Sequence, residues 1–258
     1  MFTTTEQGST LIVTINRPHC YNALDRESKL ELAKFFQNLK DRKDIRSVIL
    51  TGEGKAFCTG QDLNDRTINA ASSKPADLAT TLKEEWIPLV EAIRKTPQLV
   101  IGAINGVAAG AGVSVALACD LIVMDEKARF VSGFAKIGLV PDAGSTFTFT
   151  RSLGSKKALE FFLFNEPLGA EDLLKAGLIN QISTDALQSA KEMSQKINGL
   201  APLSAEMIKK NVQSAEDLSY NECLEREVLA QGKLGASQDY QEGLKAFFEK
   251  RTAQFQGR

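Results

Sequence analysis

The chain has 258 residues, 43% hydrophobic and 24% charged, with 31 Lys and Arg against 32 Asp and Glu for a formal net charge of -1. Such a length can bury one large core, and the near-neutral balance provides no global basic field for nucleic acid or an anionic membrane. Four scattered cysteines without a CxxC pair and a single histidine argue against a zinc site, and His19 without a G-x-S-x-G elbow argues against a Ser-His-Asp hydrolase.

The N-terminus, Met1-Phe2-Thr3-Thr4-Thr5-Glu6, has no basic region followed by an apolar one. No apolar run approaches the ~20 residues that span a bilayer. A cytoplasmic protein without membrane association is expected.

Residues 11–15 alternate and are β-rich, and Asn16-Arg17-Pro18 ends them, which reads as a strand into a turn. Asp25 can cap a helix carrying Leu32, Phe35, Phe36 and Leu39 at helical spacing. Residues 47–51 form a short apolar strand closed by Gly52-Glu53-Gly54. A polar stretch over 64–75 reads as a loop, and a helical pattern follows around 82–93, with Trp86 on its apolar side. Two more apolar strands are expected at 99–104 and 121–124. The small, apolar segment 106–118 between them suits a buried helix entered through glycine turns.

Strands alternating with helices imply a mostly parallel sheet. From about Lys156 the pattern turns almost wholly helical, with helices expected at 170–176, 185–197, 220–229 and 239–251. One α/β core over 1–195 with a helical C-terminal part over 196–258 is the expected organisation.

Two glycine-flanked segments follow predicted strands and could turn backbone N–H groups toward a ligand. They are Lys55-Ala56-Phe57-Cys58-Thr59-Gly60-Gln61-Asp62-Leu63 and Asn105-Gly106-Val107-Ala108-Ala109-Gly110-Ala111-Gly112. Neither is a Walker A loop, and the second lacks the G-x-G-x-x-G order of a dinucleotide fingerprint.

Taken in order, these segments resemble the enoyl-CoA hydratase/isomerase (crotonase) superfamily. The resemblance starts at Asn16-Arg17-Pro18 and Asn22-Ala23-Leu24 and passes through both segments to Cys119-Asp120. It continues through Gly138-Leu139-Val140-Pro141-Asp142-Ala143-Gly144 and Ala176-Gly177-Leu178-Ile179, and closes at Phe247-Phe248-Glu249-Lys250-Arg251. It implies a crotonase-like spiral of ββα units, a helical C-terminal trimerisation part, and a homotrimer or a dimer of trimers. The substrate it implies is an acyl-CoA thioester, with coenzyme A entering as part of that substrate and no separate cofactor. By matching position, the backbone N–H groups of Gln61 and Ala111 would form an oxyanion hole. Cys58, Gly60, Asp62, Leu63 and Gly110 would border the bound thioester, together with Phe134 and Trp86. Ala111 replaces the glycine usual at its position.

Hydratases of this superfamily use two glutamates to hold and activate a water. At the matching positions this chain has Ser114 and Phe134, neither of which can act as a base. One acid remains at a position the family uses, Asp142. The resemblance makes it the acid/base of an enoyl-CoA isomerase, sharpened by apolar surroundings. The plainer alternative is that Asp142 caps a helix starting at Ala143. The motifs around Gly60-Gln61-Asp62-Leu63 and Pro141-Asp142-Ala143-Gly144 are most similar to the 2-(1,2-epoxy-1,2-dihydrophenyl)acetyl-CoA isomerase subgroup, from which Ser145 and Phe147 depart. A hydratase, or a non-catalytic acyl-CoA- or RNA-binding relative, is the alternative.

Overall fold

The structure is a computed structural model, and it describes residues 1–66 and 77–258. The expected loop over 64–75 therefore lies mostly outside the described residues; its start, Leu63–Arg66, is a 3-10 turn.

An antiparallel hairpin, β1 (Phe2–Gln7) and β2 (Thr10–Ile15), opens the chain. Helix α1 (Arg26–Asn38) follows, capped by the Asp25 carboxylate on the Ser28 N–H at 2.8 Å. Next come β3 (Ser47–Gly52) and β4 (Ala56–Cys58), then the short helix α2 (Leu78–Thr81). A π-helical turn, Leu82–Trp86, leads from it into α3 (Ile87–Lys95). The chain continues through β5 (Leu99–Ile104), β6 (Val107–Ala109), α4 (Ala111–Leu117), β7 (Leu121–Asp125) and β8 (Arg129–Val131). Then follow α5 (Ser145–Leu153), α6 (Ser155–Phe164), β9 (Leu168–Gly169), α7 (Ala170–Lys175) and β10 (Gln181–Ser183). Four helices finish it: α8 (Ala186–Asn198), α9 (Pro202–Ala215), α10 (Tyr220–Gly235) and α11 (Gln238–Glu249).

Two sheets result. The larger has the order β1-β2-β3-β5-β7-β10 and is parallel beyond its first pair; the smaller has the order β4-β6-β8-β9. Three times, at β3–β4, β5–β6 and β7–β8, the chain crosses from the larger sheet to the smaller through a short turn. This is the crotonase spiral. Side-chain alternation along the strands fills both faces of the larger sheet. Ile12, Ile49, Ile101 and Val123 meet α8 through Ala186, Ala190 and Ile197. The opposite face, through Val13, Val48, Leu50 and Val100, joins the main core under α1 and α3.

Segment 106–118 departs from the expected single helix. Val107–Ala109 is strand β6, and the helix begins only at Ala111. A Cβ at Gly106 would lie 2.1 Å from the Lys55 carbonyl oxygen, so the chain enters β6 pressed against the preceding turn. The region after Lys156 is less uniformly helical than expected, because β9 and β10 complete the two sheets.

The expected division at 195/196 falls inside α8, which packs on the sheet as a core helix. The helices beyond it are also tied down. Lys209 on α9 is buried and donates to Asp120 at 2.7 Å and to the Gln98 carbonyl at 3.0 Å, while Gln213 reaches Asp120 at 3.1 Å. Burial pushes the Asp120 carboxyl up against the pull of Lys209, and burial pushes Lys209 down. Among the described residues, no helix is long and apolar enough to cross a membrane.

Candidate active site

The first glycine-flanked segment follows β4. Gly60 has φ +83°, and a Cβ there would meet the Ala109 oxygen at 2.9 Å and the Ala111 nitrogen at 3.1 Å. Glycine is needed both for the left-handed backbone and for this approach. Leu24 brackets the next residue from the other side: its N–H donates to the Gly60 carbonyl at 2.7 Å, and its carbonyl accepts from the Asp62 N–H at 3.0 Å. In an extended segment alternate residues turn their N–H groups to opposite sides. The Gln61 N–H therefore faces away from Leu24.

The second segment packs on the first, backbone against backbone. Gly110 (φ +53°, ψ -131°) ends β6, and Ala111 opens α4, in whose first turn the N–H groups have no partner within the helix. A Cβ on Gly112 would lie 2.0 Å from the Cys58 oxygen and 3.0 Å from the Gly60 nitrogen. Gly60 and Gly112 thus bring the Gln61 and Ala111 backbones together. The Phe134 ring lies beside Gly110, with its Cζ 3.9 Å from where a Gly110 Cβ would stand.

The third loop carries Asp142. Helix α5 begins at Ser145 with Gly144 as its cap residue and no side-chain cap, so Asp142 is not the side-chain cap of a helix at Ala143. The reason is local: Ala143 (φ +49°) and Gly144 (φ +91°) are both left-handed, which delays the helix. The Asp142 main-chain oxygen instead gathers three donors: the Ser145 N–H at 3.1 Å, the Ser145 hydroxyl at 3.0 Å and the Ser114 hydroxyl at 2.9 Å. Ser114 is buried on α4 one turn beyond Ala111. One helix therefore carries both the second loop's N–H and the anchor of the third loop.

A cavity of about 460 Å³ opens beside this junction. Ser114, Ala143 and Gly144 line one side of it, and Leu82, Ile87 and Phe147 line others. A larger cavity, about 560 Å³, lies among α9, α10 and α11 and touches none of the three loops. Size alone does not pick the site.

Trp86 lies under the site rather than on the cavity wall. It is almost wholly buried, and its indole N–H donates to the Gln61 side-chain oxygen at 3.3 Å. The same oxygen accepts from Lys29 at 2.7 Å, and Lys29 also pairs with Glu85 at 2.5 Å and sits 4.9 Å from the Trp86 ring centre. Arg26 reaches the other Glu85 oxygen at 3.4 Å. The fully buried Lys29 escaped the sequence reading; its only signal was a lysine sharing a helical face with Leu32 and Phe36.

Asp62 is buried against Arg17 at 3.1 Å and accepts from the Asn64 N–H at 3.0 Å, so it holds its loop. Arg17 also pairs with Asp25 at 2.7 Å, and it is spent on this scaffold. Burial alone would raise the Asp25 carboxyl, but hydrogen bonds from Ser28 and the charges of Arg17 and Lys29 hold it below its ordinary value. Cys58 is fully buried, and burial pushes its thiol up to about 12, so it meets the site through its main chain. Leu63 is exposed beside it. Lys55 lines a separate cavity with His19 and Tyr21.

The sequence matches the family model for enoyl-CoA hydratase/isomerase over residues 5–258. It is 36% identical over 250 residues to the 1,2-epoxyphenylacetyl-CoA isomerase of Escherichia coli, covering 96% of this chain and 95% of that one. The 2,3-dehydroadipyl-CoA hydratase of the same organism is 31% identical over 254 residues, with 98% and 97% covered. The crystal structure of an enoyl-CoA hydratase from Polaromonas sp. JS666 superposes with a TM-score of 0.92 at 33% identity, over 98% of this chain and 99% of that chain.

Proposed function

The chain belongs to the enoyl-CoA hydratase/isomerase family, whose members act on coenzyme A thioesters, and from that premise we propose that it is an isomerase. The substrate is an enoyl-CoA or an epoxyphenylacetyl-CoA-type thioester bound with its acyl group in the cavity beside Ser114. The N–H groups of Gln61 and Ala111 stabilise the enolate oxygen, donors of this kind being worth about 10²–10³ each in rate. In the enoyl case the Asp142 carboxylate takes the proton from C2, the electrons move onto the thioester oxygen and out to C4, and the protonated Asp142 returns the proton at C4. The double bond moves into conjugation and the carboxylate is regenerated.

The observation that carries this reading is the pairing of Ser114 with Asp142. Where the family's hydratases place their first glutamate, this chain places a serine whose hydroxyl grips the Asp142 backbone. Phe134 occupies the second position and is buried. Asp142 is thus the one carboxylate at a position the family uses. The helical C-terminal part bears exposed Val228, Leu229, Phe247 and Phe248, which supports assembly as a homotrimer or a dimer of trimers. Coenzyme A is part of the substrate and no separate cofactor is needed.

Wild-type protein offered a 3-enoyl-CoA is expected to produce the conjugated 2-enoyl-CoA, followed by its ultraviolet absorbance, while crotonyl-CoA is hydrated negligibly. Brisk hydration would overturn the reading in favour of a hydratase, the activity named for the 2,3-dehydroadipyl-CoA relative. Thioester binding without turnover of either substrate would favour a non-catalytic acyl-CoA-binding protein, and salt-dependent retention on RNA an RNA-binding one.

A further inference from the structure

Helix α1 and the π-helical turn together take hold of one side chain of the first loop. The Lys29 ammonium donates to the Gln61 side-chain oxygen at 2.7 Å, and the Trp86 indole N–H donates to the same oxygen at 3.3 Å. The other end of that carboxamide donates to the Asp62 carbonyl at 3.1 Å. Lys29 is itself fixed by Glu85 at 2.5 Å.

A buried ion pair is a poor source of stability, because taking both charges out of water largely cancels their attraction. Lys29 is fully buried and Glu85 nearly so. Two apolar side chains of similar size would fill the same space about as well. What Lys29 adds is a donor at a fixed point, engaged on Gln61.

The main chain at Gln61 needs such a hold. The peptide joining Gly60 to Gln61 is planar, so the Gly60 carbonyl on the Leu24 N–H sends the Gln61 N–H the opposite way. That one bond still lets the peptide tilt, and Gly60, at φ +83°, restrains it little. A carboxamide held at both ends limits the tilt. Misplacing such a group by about 1 Å costs on the order of 100-fold in rate.

We propose that Lys29, with Trp86, is a positioning residue: by holding the Gln61 side chain it aims the Gln61 N–H at the thioester oxygen. This rests on reading that N–H as an oxyanion donor.

The probes are acetoacetyl-CoA, whose bound enolate is followed by its ultraviolet band, and butyryl-CoA, which forms no such anion. Wild type is expected to hold acetoacetyl-CoA with a larger enolate fraction than free solution does. Gln61→Met keeps the main-chain donor and removes the acceptor for Lys29 and Trp86. It is expected to lower the ratio of bound enolate to bound ketone about tenfold, with butyryl-CoA affinity unchanged by calorimetry. Lys29→Met combined with Glu85→Leu removes the donor without orphaning a charge and is expected to do the same. An unchanged ratio in either variant, whatever its melting temperature, would overturn the proposal and leave the oxyanion hole standing. An equal loss of butyryl-CoA affinity would also overturn it, because the network would then serve binding rather than donor alignment. No enrichment of enolate by wild type would remove the oxyanion reading and the proposal together.

Discussion

The Ser114 hydroxyl donates to the main-chain oxygen of Asp142 at 2.9 Å, joining the middle of α4 to the turn that carries the proposed acid/base. Because α4 also begins with Ala111, the spacing between the Ala111 backbone and the Asp142 turn is fixed through one turn of helix.

Ser114→Ala removes one of three donors on that carbonyl. The loss in stability is expected to be about 1 kcal/mol, read by denaturant unfolding. The effect on turnover is larger, because a displaced Asp142 works on a misaligned proton. A fall of about tenfold in kcat with KM nearly unchanged is expected. Unaltered kcat would show that the contact does not position Asp142.

The buried Lys29–Glu85 pair underlies the Gln61 loop. Lys29→Met leaves a buried carboxylate without its nearest cation and is expected to cost about 3–5 kcal/mol. Lys29→Met combined with Glu85→Leu should be much milder than the sum of the single changes, since the double change removes both charges. Strict additivity in a double-mutant cycle would contradict the geometry.

Gly112 and Gly232 offer a contrast between two helix glycines. A Cβ at Gly112 would stand 2.0 Å from the Cys58 oxygen, whereas nothing lies within 4 Å of one at Gly232. Gly112→Ala is expected to separate the two loops and abolish turnover. Gly232→Ala, inside α10, should stabilise by about 0.5–1 kcal/mol through helix propensity. Thermal unfolding and an activity assay on both variants check this.

The C-terminal end has its own acid dependence. Arg251 holds Glu242 through two hydrogen bonds at 2.6 and 2.9 Å, with help from the Gln254 N–H, and this lowers the carboxyl from 4.5 to about 2. A carboxyl depressed in the folded state adds stability above its unfolded value and loses it as pH falls through the folded one. The difference in stability between wild type and Glu242→Gln should therefore be full at neutral pH and shrink between roughly pH 4.5 and 2. A constant difference across that range would contradict the assignment.

The parts of the site that were legible in the sequence are those whose residues are contiguous. Gly60-Gln61 and Gly110-Ala111-Gly112 each form a backbone feature from neighbours in the chain, so their pattern carries their shape. Asp25 as a cap was readable for the same reason. The Lys29–Gln61–Glu85–Trp86 cluster was not, because its members come from α1, the first loop and the π-helical turn, and only folding brings them together. Strand β6 was hidden because Val107-Ala108-Ala109 has the small apolar composition of the helix that follows, and its extended form comes with pairing to β4 and β8, which only the fold brings alongside. The missing side-chain cap at Asp142 depends on left-handed backbone at Ala143, which its residue type does not announce.

Turnover of a 3-enoyl-CoA by Asp142→Asn is the most direct test of the central claim. The substitution keeps the size of the side chain and removes its ability to take a proton. A loss of at least about 10³-fold in kcat is expected, with thioester binding preserved by calorimetry. Activity equal to wild type would remove Asp142 from the chemistry and contradict the one-acid mechanism.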